Sequence, residues 1–137
     1  INFIPCTKAL YEDIRYQSEH IRDDDIRPQE LEPLKQTGND LFIISIALHP
    51  VFKDTDAIKD LSNGWIDYLN RLETSGYPIT SITATAVSPD GRKALHCMQF
   101  EQERILREDG NIVYVCEGQN LQKLKKKELR LHGQLRK

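Results

Sequence analysis

The chain has 137 residues, 39% of them hydrophobic and 29% charged, with a formal net charge of −2. That length fits one domain with a real core, and that balance excludes a disordered chain. The longest nearly apolar run, Leu41–Leu48, is far too short to cross a bilayer. No basic segment leading into an apolar one opens the sequence. The three cysteines, Cys6, Cys97 and Cys116, are widely spaced and odd in number, so neither a disulfide framework nor a zinc knuckle is expected, and a cytoplasmic setting is.

Charge is uneven along the chain. Residues 121–137 hold seven Lys or Arg against the single acid Glu128, which leaves residues 1–120 at −8. The sequence opens on Ile1 inside the apolar stretch Ile1, Phe3, Ile4, as a strand entered partway would, so earlier strands and helices of the fold are expected to precede it.

In chain order, Ile1–Pro5 reads as a short strand ended by proline. Thr7 then precedes a short helix with Ala9, Leu10, Tyr11 and Ile14 on one side. Residues 19–39 are polar and acidic, with the cluster Asp23-Asp24-Asp25; Pro28 opens a helical turn and Gly38-Asn39 closes what reads as an ordered excursion. Leu41–Leu48 (LFIISIAL), apolar except for Ser45, suits a central strand covered on both faces. Pro50 ends it, and a helix begins near Asp54 or Thr55, either of which can cap its first turn. Ile58, Leu61, Trp65, Leu69 and Leu72 form one face of that helix, and Gly76 stops it. Ile79–Val87 is rich in β-branched residues and reads as a second strand. Ser88–Gly91 (SPDG) reads as a turn, and Arg92–Gln99 as a short helix. ERILR and NIVYVCE flank Glu108-Asp109-Gly110, a hairpin signal, and the tail from Leu121 has helical spacing.

The strand–helix–strand centre is long enough for a parallel crossover. The expected fold is therefore α/β, a mixed and mainly antiparallel sheet built round one parallel strand–helix–strand unit. Residues 1–120 form the domain and 121–137 a basic, helical tail.

In such a unit, ligands favour the space beyond the carboxyl end of the strand, at the following helix N-terminus. Here that stretch is HPVFKDTDAI, His49–Ile58. Apolar strand, His-Pro, aromatic, basic residue and helix, in that succession, resemble the GNAT superfamily of acyl-CoA-dependent N-acyltransferases. Downstream, ITATAVSPDGRKALHCMQF is similar to that family's next strand and helix, which usually end in Gly-Phe; here the ending is Gln99-Phe100. The final hairpin fits as well, and Ile1–Pro5 stands for the strand before the central one. The resemblance covers about Leu41–Cys116, with Ile1–Pro5 matching weakly.

The resemblance implies a GNAT-like fold and transfer of an acyl group from acetyl-CoA, as co-substrate, to a small-molecule or peptide amine. It implies that the backbone of Ile46, Ala47 and Leu48 holds the pantetheine arm and that the amides of Lys53, Asp54, Thr55, Asp56 and Ala57 hold the pyrophosphate. It names no general base. It also allows a homodimer, and gives no role to a membrane or a metal. Two departures stand against catalysis. The family's loop glycines align with Asp54, Asp56 and Ile58, and carboxylates there repel a pyrophosphate, an effect Lys53 offsets in part. The tyrosine that often protonates the departing thiolate aligns with Leu95. The alternative is thus a catalytically degenerate module used in ligand sensing or protein association.

Other candidates have plainer readings. His49 before Pro50 fits a turn, and Ser45 either faces the cleft or bonds within the sheet. Cys97 beside His96 lacks a base of suitable geometry, and Asp23–Asp25 reads as a solvated loop. The tail's Leu121, Leu124, Leu131 and Leu135 lie on one helical face, which favours docking on the domain over phosphate binding. Nucleic acid is not expected to bind, given the charge of −8 on the rest of the chain.

Overall fold

The computed structural model describes residues 1–19, 21–45 and 57–125. Its strands are β1 (Asn2–Pro5), β2 (Asn39–Ser45), β3 (Ile79–Ala86), β4 (Glu101–Ile105) and β5 (Ile112–Glu117). The helices are α1 (Lys8–Glu12), α2 (Ala57–Thr74) and α3 (Pro89–Cys97), and residues 118–125 are helical too. The five strands form one sheet in the order β1-β2-β3-β5-β4. β2 and β3 are parallel neighbours, with α2 between them in sequence, and every other pairing is antiparallel. The expected α/β sheet, mixed and mainly antiparallel about a parallel centre, is what forms.

Alternation along the strands sorts the core into two layers. Leu41 and Ile43 of β2, Ile82, Ala84 and Ala86 of β3, and Ile112, Tyr114 and Cys116 of β5 face one side. There they meet Trp65, Ile66 and Leu69 of α2, Leu95 of α3, and Leu121 and Leu124. Phe42 faces the other side, against Cys6, Leu10, Tyr11 and Ile14. β2 is therefore apolar on both faces, as a covered parallel strand must be. Within α2, Trp65 and Leu69 of the expected stripe are buried and Leu72 packs against the core.

The helix ends follow local chemistry. The Thr7 hydroxyl accepts the Leu10 amide and caps α1, although Ala9 is exposed rather than on the buried side. At the end of α2 the Tyr77 and Gly76 amides donate to the Leu72 and Glu73 carbonyls, with Gly76 at φ +96°. This is a glycine-terminated Schellman motif. The excursion through residues 21–39 is held by the Asn39 side chain, which bonds Lys35 and the Pro78 carbonyl, and by the Thr7 amide donating to the Glu30 carbonyl.

Two sequence readings are corrected. SPDG is not a turn before the helix but its start. The Ser88 hydroxyl accepts the Gly91 amide, Pro89 takes a first-turn position where a missing N–H costs nothing, and α3 runs from there to Cys97. The C-terminal helix begins at residue 118, earlier than Leu121. Leu121 and Leu124 are core residues, and buried Lys125 pairs with Glu73 at 2.7 Å. The described part of the tail thus docks on the domain. Leu131 and Leu135 lie outside the described residues.

α3 ends in a second Schellman motif, in which the Phe100 amide donates to the Leu95 carbonyl and the Gln99 amide to that of His96. Its left-handed position is Gln99, at φ +67°, and the motif's apolar contact is between buried Phe100 and Leu95. A side chain pays a steric cost there that glycine does not. Gln99→Gly is expected to stabilise the fold by about 0.5–1 kcal/mol, read as a raised urea midpoint with an unchanged slope, while Gln99→Val lowers the midpoint.

Candidate functional site

β2 and β3 part company at their carboxyl ends. Among the described residues their pairing runs from Asn39 and Ile79 to Ile43 and Ala84. Beyond that point β1 still holds β2 as far as Ser45, and β5 still holds β3 as far as Ala86. Each strand is thus kept in place by its outer neighbour while the inner seam opens. A cleft of about 100 Å³ lies there, walled by Ile43, Ile44, Ala84, Thr85, Ala86 and Val87 and closed by Ser88, Gly91 and Leu95 of the α3 start. Its lining is mainly small and apolar, and its polar groups are backbone amides and carbonyls with the Thr85 and Ser88 hydroxyls.

This is the end of the parallel unit where a ligand was expected. Of the residues expected to hold it, Ile46, Ala47, Leu48, Lys53, Asp54, Thr55 and Asp56 lie outside the described residues, as does His49. Ala57 is the first described residue of α2. Leu95, at the position of the family's tyrosine, is buried and forms the cleft floor; it has no proton to give. His96 is exposed and Cys97 half-buried. Asp23–Asp25 form a single 3₁₀ turn, in which Asp25 accepts the Arg22 amide. Among the described residues no group of three or more His, Cys, Asp or Glu is placed to hold a metal ion, and no helix is long and apolar enough to cross a membrane.

Behind the sheet lies a polar network that periodicity did not reveal. After α1 the helix widens to a π-helix over Asp13–Gln17, which brings Arg15 under the sheet with only 8% of its surface exposed. Its Nη2 lies 3.0 Å from both carboxylate oxygens of Glu103, and its Nη1 lies 3.0 Å from Glu117 Oε2. The Ser81 hydroxyl donates to the same Glu117 oxygen at 3.2 Å and accepts from the Tyr11 hydroxyl. Burial works against the Arg15 charge, but the hydrogen bonds it donates to Glu117 and Glu103 outweigh it and hold the guanidinium protonated. Burial, more than the opposing bond to Ser81 and charge of Arg15, also pushes the Tyr11 hydroxyl up. A bulge between Gln102 and Arg104 sets the register of β4 here. Arg104 then donates to the carbonyls of Ile14, Arg15 and Ser18, closing the end of the π-helix. The one sequence signal was Arg15 four residues after Tyr11, on a face otherwise apolar.

Compared with protein-family models, curated proteins and solved structures, the chain matches none.

Two measurements test this description. Arg15→Met removes the cation between two carboxylates and is expected to cost about 3 kcal/mol in denaturant unfolding, with part of the loss recovered by adding Glu103→Gln. The Cys6 and Cys116 thiols are pushed up to about 12, chiefly by burial and then by nearby carboxylates (Asp40 first for Cys6, Glu101 first for Cys116). At pH 8 a thiol reagent is therefore expected to modify Cys97 alone in the native protein and all three after unfolding. Because the folded state resists ionising both buried thiols, their contribution to stability is complete below pH 9 and is lost as pH rises from 9 towards 12.

Proposed function

We propose that the chain is a GNAT-like acyltransferase domain that moves an acyl group from acyl-CoA to an amine. The observation that carries this reading is the opened seam between parallel β2 and β3, with its small apolar walls. An extended arm with amides at both ends, such as pantetheine, can pair with the strand edges that the seam leaves open, as an added strand would. The sheet order, with the last strand inserted beside β3, and the left-handed residue before Phe100 support the same reading. Position 99 is where the resembled family usually has glycine, and it is the position whose backbone conformation favours glycine.

In this reading the amine nitrogen attacks the thioester carbonyl, the C–N bond forms and the C–S bond breaks. The amine proton passes to a base or water, and the thiolate leaves with a proton from solvent or an acid. The chain's contribution is to hold the arm straight, keep the carbonyl at the cleft and exclude water. Leu95 favours the second reading, a module that binds without turnover, because the acid role has no occupant at that position.

Asp54 and Asp56 decide how tightly the donor is held. A carboxylate at the start of a helix satisfies amides that would otherwise bind a pyrophosphate. Calorimetric titration of acetyl-CoA is expected to show weak binding by the wild type and stronger binding by Asp54→Gly or Asp56→Gly. Val87→Trp, at the exposed rim of the cleft, is expected to weaken it by roughly tenfold or more, the equivalent of one lost contact of about 1.4 kcal/mol. No binding by the wild type or either glycine variant would overturn the proposal. Binding with no release of free coenzyme A across a panel of amines would favour the module.

A further inference from the structure

The start of α3 presents one stripe of residues to the cleft. Ser88, Gly91 and Leu95 follow at spacings of three and four, which is one helical face, and all three border the cleft. Their chemistry differs. Leu95 is a buried hydrocarbon floor. Gly91 has no side chain, and a Cβ there would lie 3.3 Å from Ser88 Oγ and 4.0 Å from the Ala86 methyl. The hydroxyl and the methyl therefore flank a corner that glycine leaves open. Side chains on a helix lean towards its N-terminus, so a longer group at position 95 would cover this same corner.

The Ser88 hydroxyl has a proton to give. Its oxygen accepts the Gly91 amide at 3.0 Å, and among the described residues nothing accepts its own O–H. The hydroxyls further back along β3 are committed: Ser81 donates to Glu117, and Thr83 donates to the Tyr114 carbonyl. Thr85, the other hydroxyl of the cleft, lies on the opposite face of β3 from Ala84 and Ala86, away from α3. Ser88 is half-buried rather than enclosed, so a group in the cleft can reach it.

A thiolate released here meets walls of neither sign, because none of the described residues lining the cleft has an ionisable side chain. A sulfur anion in such surroundings needs a hydrogen-bond donor. We propose that the Ser88 hydroxyl is that donor, and that it bonds the sulfur as the C–S bond of the thioester breaks and the electron pair passes to sulfur. The proposal rests on the acyl-transfer reading. Serine keeps its proton throughout, since an alcohol is a far weaker acid than a thiol. The amine proton goes to water and water returns one to the thiolate, so amine and thioester give amide and thiol. The sulfur gains its charge only as the bond breaks, so the contact is stronger in the transition state than with the bound thioester.

The test reads the sulfur through coenzyme A itself, which ends in the thiol. A thiol ionises near pH 8.5 or above, so calorimetric titrations at pH 7 and pH 9 differ in thiolate content while Cys6 and Cys116 stay protonated. A site that favours the thiolate binds coenzyme A more tightly at the higher pH, and a gain of about twofold or more is expected in the wild type and in Asp54→Gly. S-methyl-coenzyme A, which cannot ionise at sulfur, is expected to show no gain. Ser88→Ala and Ser88→Asp are each expected to lose the gain. The first also loses the cap of α3 and the second keeps it, so a loss common to both is not a loss of folding. Ser88→Thr, which keeps cap and donor, is expected to keep the gain. On an amine that is turned over, Ser88→Ala is expected to lower kcat at least about tenfold and leave KM for acetyl-CoA nearly unchanged. A gain absent from the wild type, or persisting in both Ser88→Ala and Ser88→Asp, would overturn the proposal and leave the acyl-transfer reading standing. No binding of coenzyme A at either pH by the wild type, Asp54→Gly or Asp56→Gly would overturn both.

Discussion

The parallel contact between β2 and β3 is the constraint on which the rest of the structure depends. Two parallel neighbours cannot be joined by a tight turn, so the chain must cross over, and α2 belongs to that crossover. A helix on one face buries Leu41 and Ile43 but leaves Phe42 on the other. α1 and the π-helix supply that second cover. The three remaining strands then complete the sheet antiparallel, with β1 beside β2 and β5 between β3 and β4. Every hydrophobic cluster in the described molecule touches β2, and the cleft lies where its pairing with β3, among the described residues, stops at Ile43.

The second cover is not wholly apolar. A helix that passes Arg15 beneath a sheet needs carboxylates there, and the sheet provides Glu103 from its edge strand and Glu117 from β5. A buried ion cluster of this kind adds little net stability, since desolvation cancels much of the attraction, but its geometry is exacting. It fixes the helix over one part of the sheet and no other. Arg104 adds to that by tying the carbonyls at the end of the π-helix to β4. The same wide turn that admits Arg15 leaves Tyr16 exposed, with the Arg15 guanidinium against its ring.

The cleft is a property of strand pairing: it needs no particular side chain, only that β1 and β5 hold β2 and β3 apart.

What the sequence determined by itself was local or periodic. The run LFIIS, the stripe through Trp65 and the β-branched ITSITATA specify strand, helix and strand, and their spacing leaves a parallel crossover as the economical arrangement. Thr7, Gly76 and the Glu108-Asp109-Gly110 turn mark their element ends because their chemistry acts within a few residues. Ser88 carried the same kind of signal, but a Ser-Pro-Asp-Gly string suits a turn and a helix start equally, and only Leu95 and Ala94 packing inward selects the helix. Tertiary structure alone decided the rest. Arg15 meets Glu103 and Glu117 across 88 and 102 residues of chain, a separation at which no periodicity survives. The π-helix that aims Arg15 costs a local hydrogen-bond pattern and is recovered only by partners from the sheet. The opening of the seam depends on the outer strands β1 and β5 holding longer than the inner pair, and that is a property of the whole sheet, which no single segment encodes.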